Sequence, residues 1–249
     1  MRSKSILFTP LVLALACSGP KPESIDSKNW AELVNPFIGT GGHGHTYPGV
    51  SAPFGFMQLS PDTRLSGWDG CGGYHYSDSV IYGFSHTHLS GTGISDYGDV
   101  LIMPFSGEGH FQNGSESSIN SGYASRFSHS KESAHAGYYQ VELLDYNIQV
   151  ELSASQRAGM HHYQYPESAS QGLVIDLQHR DQLLDAHLEV IDPSHIRGYR
   201  ISKAWAQEQH LYFYLELSQT IKESRYDEDS TKLLLYFDNP EELYLKIGS

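Results

Sequence analysis

Hydrophobic and polar positions alternate most clearly in the second half of the chain. In YYQVELLDYNIQVELSAS (138–155), Tyr139, Val141 and Leu143 share one face, and Ile148, Val150 and Leu152 resume it. A period of two marks a half-buried strand. Asp145–Tyr146–Asn147 between the two runs supplies turn chemistry, so the stretch predicts a hairpin. AGMHHYQY (158–165) predicts another strand, stopped by Pro166, and GLVIDL (172–177), IRGYRIS (196–202), HLYFYLELS (210–218) and KLLLYFD (232–238) continue the series. Their β-branched and aromatic content suits a pleated, half-buried surface. Short strands punctuated by Gly, Pro, Asn and Asp predict an all-β sandwich. QHRDQLLDAHLEVID (178–192) fits a helical turn or a strand, and ESRYDEDS (223–230) reads as an acidic, solvated loop.

From Trp30 to about Gly114 the pattern changes. This zone is rich in Gly, His, Ser, Pro and aromatics and shows little periodicity. Pro48, Pro53 and Pro61 exclude a long helix there. Glycines 39, 41, 42 and 44 invite a phosphate-loop reading, but neither a G-K-[ST] sequence nor a helix-forming segment follows. Such a backbone lets something approach closely, either a ligand or another part of the protein.

Composition narrows the class. The chain has 249 residues, 39% hydrophobic and 18% charged, which supports a globular core. MRSKSILFTPLVLALAC (1–17) has a basic start, an apolar run and a closing cysteine. That is the layout of a secretory leader; ending on Cys17, it resembles a bacterial lipoprotein signal, although Ala14 stands where leucine is usual. A plain signal peptide is the alternative. Residues 18–29 read as a flexible tether. The formal charge of −13 becomes −15 without residues 1–17, which remove two bases and no acids. An acidic surface repels phosphate backbones, so no nucleic-acid partner is expected. With Cys17 lipidated, only Cys71 remains and no internal disulfide can form.

The candidate chemistry lies in residues 67–107. Trp68, Asp69, Tyr74, His75 and Tyr76 fall in one short loop. Flat aromatic faces beside carboxylate and imidazole are what a sugar pocket needs, although any one of these rings serves a core equally well. His86 and His88 form an H-x-H pair, which on a strand puts both imidazoles on one face; with Asp96 or Asp99 as third ligand, zinc is a geometric option. No serine sits in a G-x-S-x-G elbow. Cys71 reads as a packing group.

VNPFIGTGGHGHTYPGVSAPFGFMQLSPDT (34–63), then GYHYSDS, GFSHTHLSGTG and DYGDVLIMP, resemble the amino-terminal domain of glycoside hydrolase family 92; IRGYRISKAWAQEQHLYFYLELS resembles the strand pair that follows. The likeness runs from about Leu33 to the last residue. It implies an all-β fold, a β-sandwich of the galactose-mutarotase-like, carbohydrate-binding type with long Gly/His/aromatic-rich loops, over residues 30–249. It also implies a separate catalytic (α/α)6 barrel, which this chain does not reach, since it stops at EELYLKIGS where the sandwich gives way to a linker in the family. The family's enzymes are calcium-dependent, inverting α-mannosidases of Bacteroidetes. Their general acid, general base and most calcium contacts are barrel carboxylates, so no catalytic residue and no tightly bound Ca2+ are expected here.

What the resemblance carries over is a contribution to the substrate pocket. Trp68 and Asp69 match the loop that looks most like a sugar contact, with Tyr74 and His75 beside them. It makes His86 and His88 interface and pocket-shaping groups that hydrogen-bond neighbouring backbone, ahead of metal ligation. A mannose-containing glycan and a separate barrel are the implied partners, with the membrane reached only through the lipid anchor, in the envelope of a Gram-negative bacterium (periplasm or outer membrane). The competing readings are a stand-alone carbohydrate-binding module and a metal-dependent hydrolase built on His86, His88 and an aspartate.

Overall fold

The computed structural model describes residues 29–114, 121–167, 170–238 and 240–249. The leader with Cys17, and the tether up to residue 28, lie outside the described residues. Ala31–Ser249 form one compact unit. Among the described residues no helix is long and apolar enough to cross a membrane.

The first half contributes short strands: β1 (Val50–Ser51), β2 (Gln58–Asp62), β3 (Val80–Ile81), β4 (Gly83–Ser85), β5 (Leu101–Ser106), β6 (Ser125–Arg126) and β7 (Glu132–His135). Longer ones follow: β8 (Tyr138–Leu143), β9 (Ile148–Ala154), β10 (Ala158–Gln164), β11 (Gln171–Asp176), β12 (Gln182–Asp192), β13 (His195–Lys203), β14 (Gln209–Leu217), β15 (Glu223–Tyr226), β16 (Lys232–Phe237) and β17 (Glu242–Gly248). A seven-stranded sheet runs β1-β2-β4-β5-β11-β16-β15 and an eight-stranded sheet runs β12-β13-β14-β17-β10-β9-β8-β7; β3 and β6 form a small ribbon. The two large sheets face each other as the expected all-β sandwich, with β9 against β1, β2 and β5.

The predicted hairpin is β8–β9, in register Leu143↔Ile148, with Asn147 in the left-handed region at its turn. Tyr139, Val141, Leu143, Ile148, Val150 and Leu152 all point into the core. β11 is buried on both faces, which is why GLVID is a continuous apolar run rather than an alternating one. The undecided segment 178–192 contains a strand, β12. It is an edge strand, only Leu188 is fully buried, and two register shifts interrupt its pairing with β13. One expectation is corrected. The supposed solvated loop 223–230 begins with β15, a fully exposed edge strand on β16; its Glu223 and Arg225 keep that edge charged, which discourages pairing with other chains. The EELYLKIGS segment contributes β17, a central strand between β14 and β10.

The sandwich also buries charge. Arg200, on the inward face of β13, has no exposed surface and pairs with Asp99. Its remaining donors reach the backbone: Nε to Leu177 O (2.8 Å), and the other terminal nitrogen to His179 O (2.9 Å). Asp99 in turn accepts from Thr87 Oγ1 and Gln209 Nε2, both at 2.6 Å. A buried pair is tolerable when its hydrogen bonds are complete, and removing one partner strands the other charge. Arg200→Ala is therefore expected to lower the unfolding free energy by about 3–5 kcal/mol in urea titrations. The matched change Asp99→Asn with Arg200→Met should recover a large part of that loss; an unchanged urea midpoint for Arg200→Ala would contradict this role.

Candidate functional site

The loops at one end of the sandwich are organised around Asp62, the last residue of β2. Its carboxylate is fully buried. Oδ1 accepts from His88 Nε2 (2.9 Å), and Oδ2 accepts from His179 Nε2 (2.8 Å) and Ser85 Oγ (2.6 Å). Arg180 lies 3.8 Å from Oδ1. Burial alone would raise the Asp62 pKa, but His88 and His179 outweigh it and hold the carboxyl well below the usual carboxylate range.

This centre explains the glycines. Gly73 has φ +85°, and a Cβ there would stand 2.1 Å from Asp62 Oδ1 and 2.9 Å from both Arg180 and His88. At Gly44, in the 39–44 run where composition anticipated a close approach, a Cβ would stand 1.9 Å from Gly39 O, so there too the approaching group belongs to the protein. Arg180 extends the centre outward: a terminal nitrogen donates to Gly70 O (3.0 Å), Cys71 O (3.3 Å) and Ser95 Oγ (2.6 Å). One guanidinium therefore fastens the 67–73 loop to the 91–98 loop.

Trp68 and Asp69 sit on that fastened loop. Trp68 is 63% exposed. Its indole lies against Gly93, where a Cβ would come within 2.2 Å of the ring, and His45 meets it edge-on with centroids 5.1 Å apart. Asp69 Oδ1 accepts from His43 Nδ1 at 2.7 Å, and this hydrogen bond pulls the carboxyl below its ordinary value. His45 is nearly buried; its Nε2 lies 3.4 Å from the same oxygen without completing a hydrogen bond. An exposed indole beside a half-exposed, oriented carboxylate can take the apolar face of a small polyol and accept from its hydroxyls.

Tyr76 is exposed, whereas Tyr74, His75, His86 and His88 turn inward. Tyr74 is fully buried and donates to Glu132 Oε2 (3.0 Å). His75 is nearly buried, held between Ser77 Oγ and Gly42 O. His86 and His88 are buried and serve different networks, and each ring bonds a backbone carbonyl, as expected of pocket-shaping groups. His88 Nδ1 donates to Gln58 O (2.6 Å) while its Nε2 serves Asp62. His86 Nδ1 donates to Val100 O (2.7 Å), and its Nε2 faces His161 Nε2 at 2.8 Å. Tyr163 OH lies 2.7 Å from His161 Nδ1 and completes the chain. Among the described residues no group of three or more His, Cys, Asp or Glu side chains is placed to hold a metal ion.

Composition did not single out Trp205. It is 70% exposed, in the loop between β13 and β14. Ala206 N donates to Asp96 Oδ2 (3.2 Å), which ties that loop to the 91–98 loop on which Trp68 rests. The signal was present: an apolar indole in a hairpin loop, KAWAQEQ, where alternation stops. Asp181, beside this junction, is pushed up to about 6 by burial, with Asp96 and Asp99 adding to the rise and Arg200 opposing it.

The family profile described as "Glycosyl hydrolase family 92 N-terminal domain" matches residues 33–244. A solved family GH92 alpha-mannosidase from Bacteroides thetaiotaomicron, in complex with mannoimidazole, is similar over 88% of this chain at 36% identity and TM-score 0.83. An inverting family GH92 mannosidase from Bacteroides thetaiotaomicron VPI-5482 is similar over the same share at 27% identity and TM-score 0.73. An uncharacterized secreted glycosidase from Arthroderma benhamiae is 28% identical over 145 residues, 54% of this chain. The chain spans 32% and 31% of the two solved chains and 17% of the third relative.

The His86–His161 pair gives a pH dependence. Burial lowers the His86 pKa from 6.5 to about 4, and it depresses His161 well below its ordinary value. Both rings fold neutral, so their stabilising contribution is complete above pH ~6.5 and falls as pH drops toward 4, on the order of 3 kcal/mol for His86. Asp181 acts oppositely: its raised pKa favours the fold as pH falls below about 6. The two histidines outweigh the single carboxyl. Urea unfolding free energies are expected to decline between pH 6.5 and 4.5, and to decline less in His161→Phe; parallel profiles for the two proteins would contradict the assignment.

Proposed function

We propose, from the premise that this chain belongs to glycosyl hydrolase family 92 through its N-terminal domain, that its loop end forms one wall of a mannoside-binding pocket. The carrying observation is the exposed Trp68–Asp69 pair, held rigid by Arg180 and the buried Asp62 centre. Trp68 presents an apolar face for the C–H surface of a pyranose, and Asp69, oriented by His43, accepts from ring hydroxyls. Preorganisation of both groups limits the ordering cost of binding. Similarity to a mannosidase solved with mannoimidazole supports mannose as the sugar.

In this reading the domain positions substrate, and the bond-breaking carboxyl pair lies outside it. An inverting glycosidase needs two carboxyl groups about 6.5–9.5 Å apart with a water between them. Asp62 and Asp99, the fully buried carboxylates of the loop end, are committed to histidine and arginine partners. Among the described residues no three His, Cys, Asp or Glu side chains are gathered around one point. No step is assigned to calcium here. The leader ending in Cys17 supports an envelope lipoprotein, testable by metabolic labelling with a fatty-acid analogue in wild type and Cys17→Ala.

The chain is expected to bind α-linked mannobiose weakly by calorimetry, because one wall buries little of a ligand. Trp68→Ala should weaken that binding by ~10-fold or more. Incubation with an aryl α-mannoside should give no turnover. Steady hydrolysis by the chain alone, or equal affinity in Trp68→Ala, would overturn the reading.

A further inference from the structure

His45 lies against both Trp68 and Asp69 and combines two features that cost free energy. The first is its backbone. His45 closes a tight turn in which Gly44 N donates to Gly41 O and Thr46 N to Gly39 O, both at 3.2 Å. Its φ is +57°, in the left-handed region. Residues with a side chain are uncommon there and carry strain, whereas glycine adopts it freely. Glycine already stands at 39, 41, 42 and 44, so a histidine at the strained place points to a use for its side chain. The backbone is also pinned between the two loops that Arg180 fastens. His45 O accepts from Gly91 N (2.8 Å), and a Cβ on Gly72 would stand 3.0 Å from the same oxygen.

The second feature is Nε2, which is buried without a hydrogen-bond partner and lies 3.4 Å from Asp69 Oδ1. A neutral imidazole nitrogen carries either a proton or a lone pair. The bond from His43 draws the Asp69 carboxyl below its ordinary value, so the oxygen facing Nε2 is a carboxylate acceptor. A lone pair opposite it would be repelled, and the proton therefore belongs on Nε2. The contact is only slightly longer than the ~2.7–3.2 Å of a formed N–H···O bond, and a small movement of the carboxylate completes it. His43 is different: its side chain is 82% exposed, so water competes for its bond to Asp69. The ring of His45 also meets Trp68 at an interplanar angle of 79°, the edge-to-face arrangement that aromatic pairs favour.

We propose that His45 is the positioning residue of the loop end, setting Asp69 through its Nε2–H and Trp68 through its ring. Two histidines then face one oxygen of Asp69, and the carboxylate's remaining lone pairs are left to accept from the hydroxyls of a ligand. Arg180 fixes the backbone of the 67–73 loop, and His45 fixes the side chains which that loop presents. The hydroxyl-bearing ligand rests on the mannoside reading of the loop end; the placing of Asp69 and Trp68 by His45 does not.

Imidazole nitrogen NMR of the wild-type chain is expected to find the His45 proton on Nε2. A proton on Nδ1 instead would overturn the proposal, and this reading needs no variant to fold. Carboxyl carbon NMR is expected to give Asp69 a higher pKa in His45→Phe than in wild type. It should return toward wild type in His45→Gln, whose amide donates in place of Nε2. One Asp69 titration curve shared by all three proteins would overturn the proposal. In calorimetry with α-linked mannobiose, His45→Phe should bind ~10-fold more weakly and His45→Gln should regain most of that loss. Equal losses in the two variants would also overturn it, since the donor would then be irrelevant. If wild type gives no heat with mannobiose while the Asp69 titration shifts as stated, His45 keeps its role and the sugar reading of the loop end falls.

Discussion

A buried carboxylate must find positive or hydrogen-bonding partners, and Asp62 finds them in two segments far apart in sequence. His88 comes from the loop after β4, while His179 and Arg180 come from the turn after β11. The cost of desolvating that charge is offset only when all are in place. The loop end therefore has one arrangement in which its electrostatics close. Arg180 extends the constraint to the surface through Gly70, Cys71 and Ser95, which fixes where Trp68 and Asp69 stand.

The sandwich provides what this centre needs. β2 and β4 hold Asp62 and Ser85 in one sheet, and the inward face of β13 sends Arg200 across to Asp99 beside them. The His86–His161 contact joins the loop after β4 to β10 in the opposite sheet. Polar links thus run through the apolar core at the loop end of the sandwich.

Legibility from sequence followed the physics of burial. The β8–β9 hairpin was plain because one face is apolar and the other wet. β12 was ambiguous because an edge strand with a single deeply buried side chain carries no strong period. β2, QLSPD, was hidden because its buried positions include Ser60 and Asp62, so a core strand looks polar. Residue type alone drew attention to Trp68 and Asp69, and the structure leaves Trp68 exposed and Asp69 half-exposed. The same criterion took in Tyr74 and His75, which are buried, and the H-x-H spacing took in His86 and His88, which bond backbone carbonyls inside the fold. Asp62 and His179 stand 117 residues apart, and no local pattern links them. Family resemblance, carried by long ordered motifs, reached what periodicity did not.

The central claim is that the buried charge centre, acting through Arg180, rigidifies the loop that carries Trp68 and Asp69. Amide hydrogen exchange in wild type and Arg180→Met tests it most directly. The account predicts faster exchange confined to residues 67–73 and 91–98, with β8–β11 protected as before. Unchanged protection in both loops would contradict it.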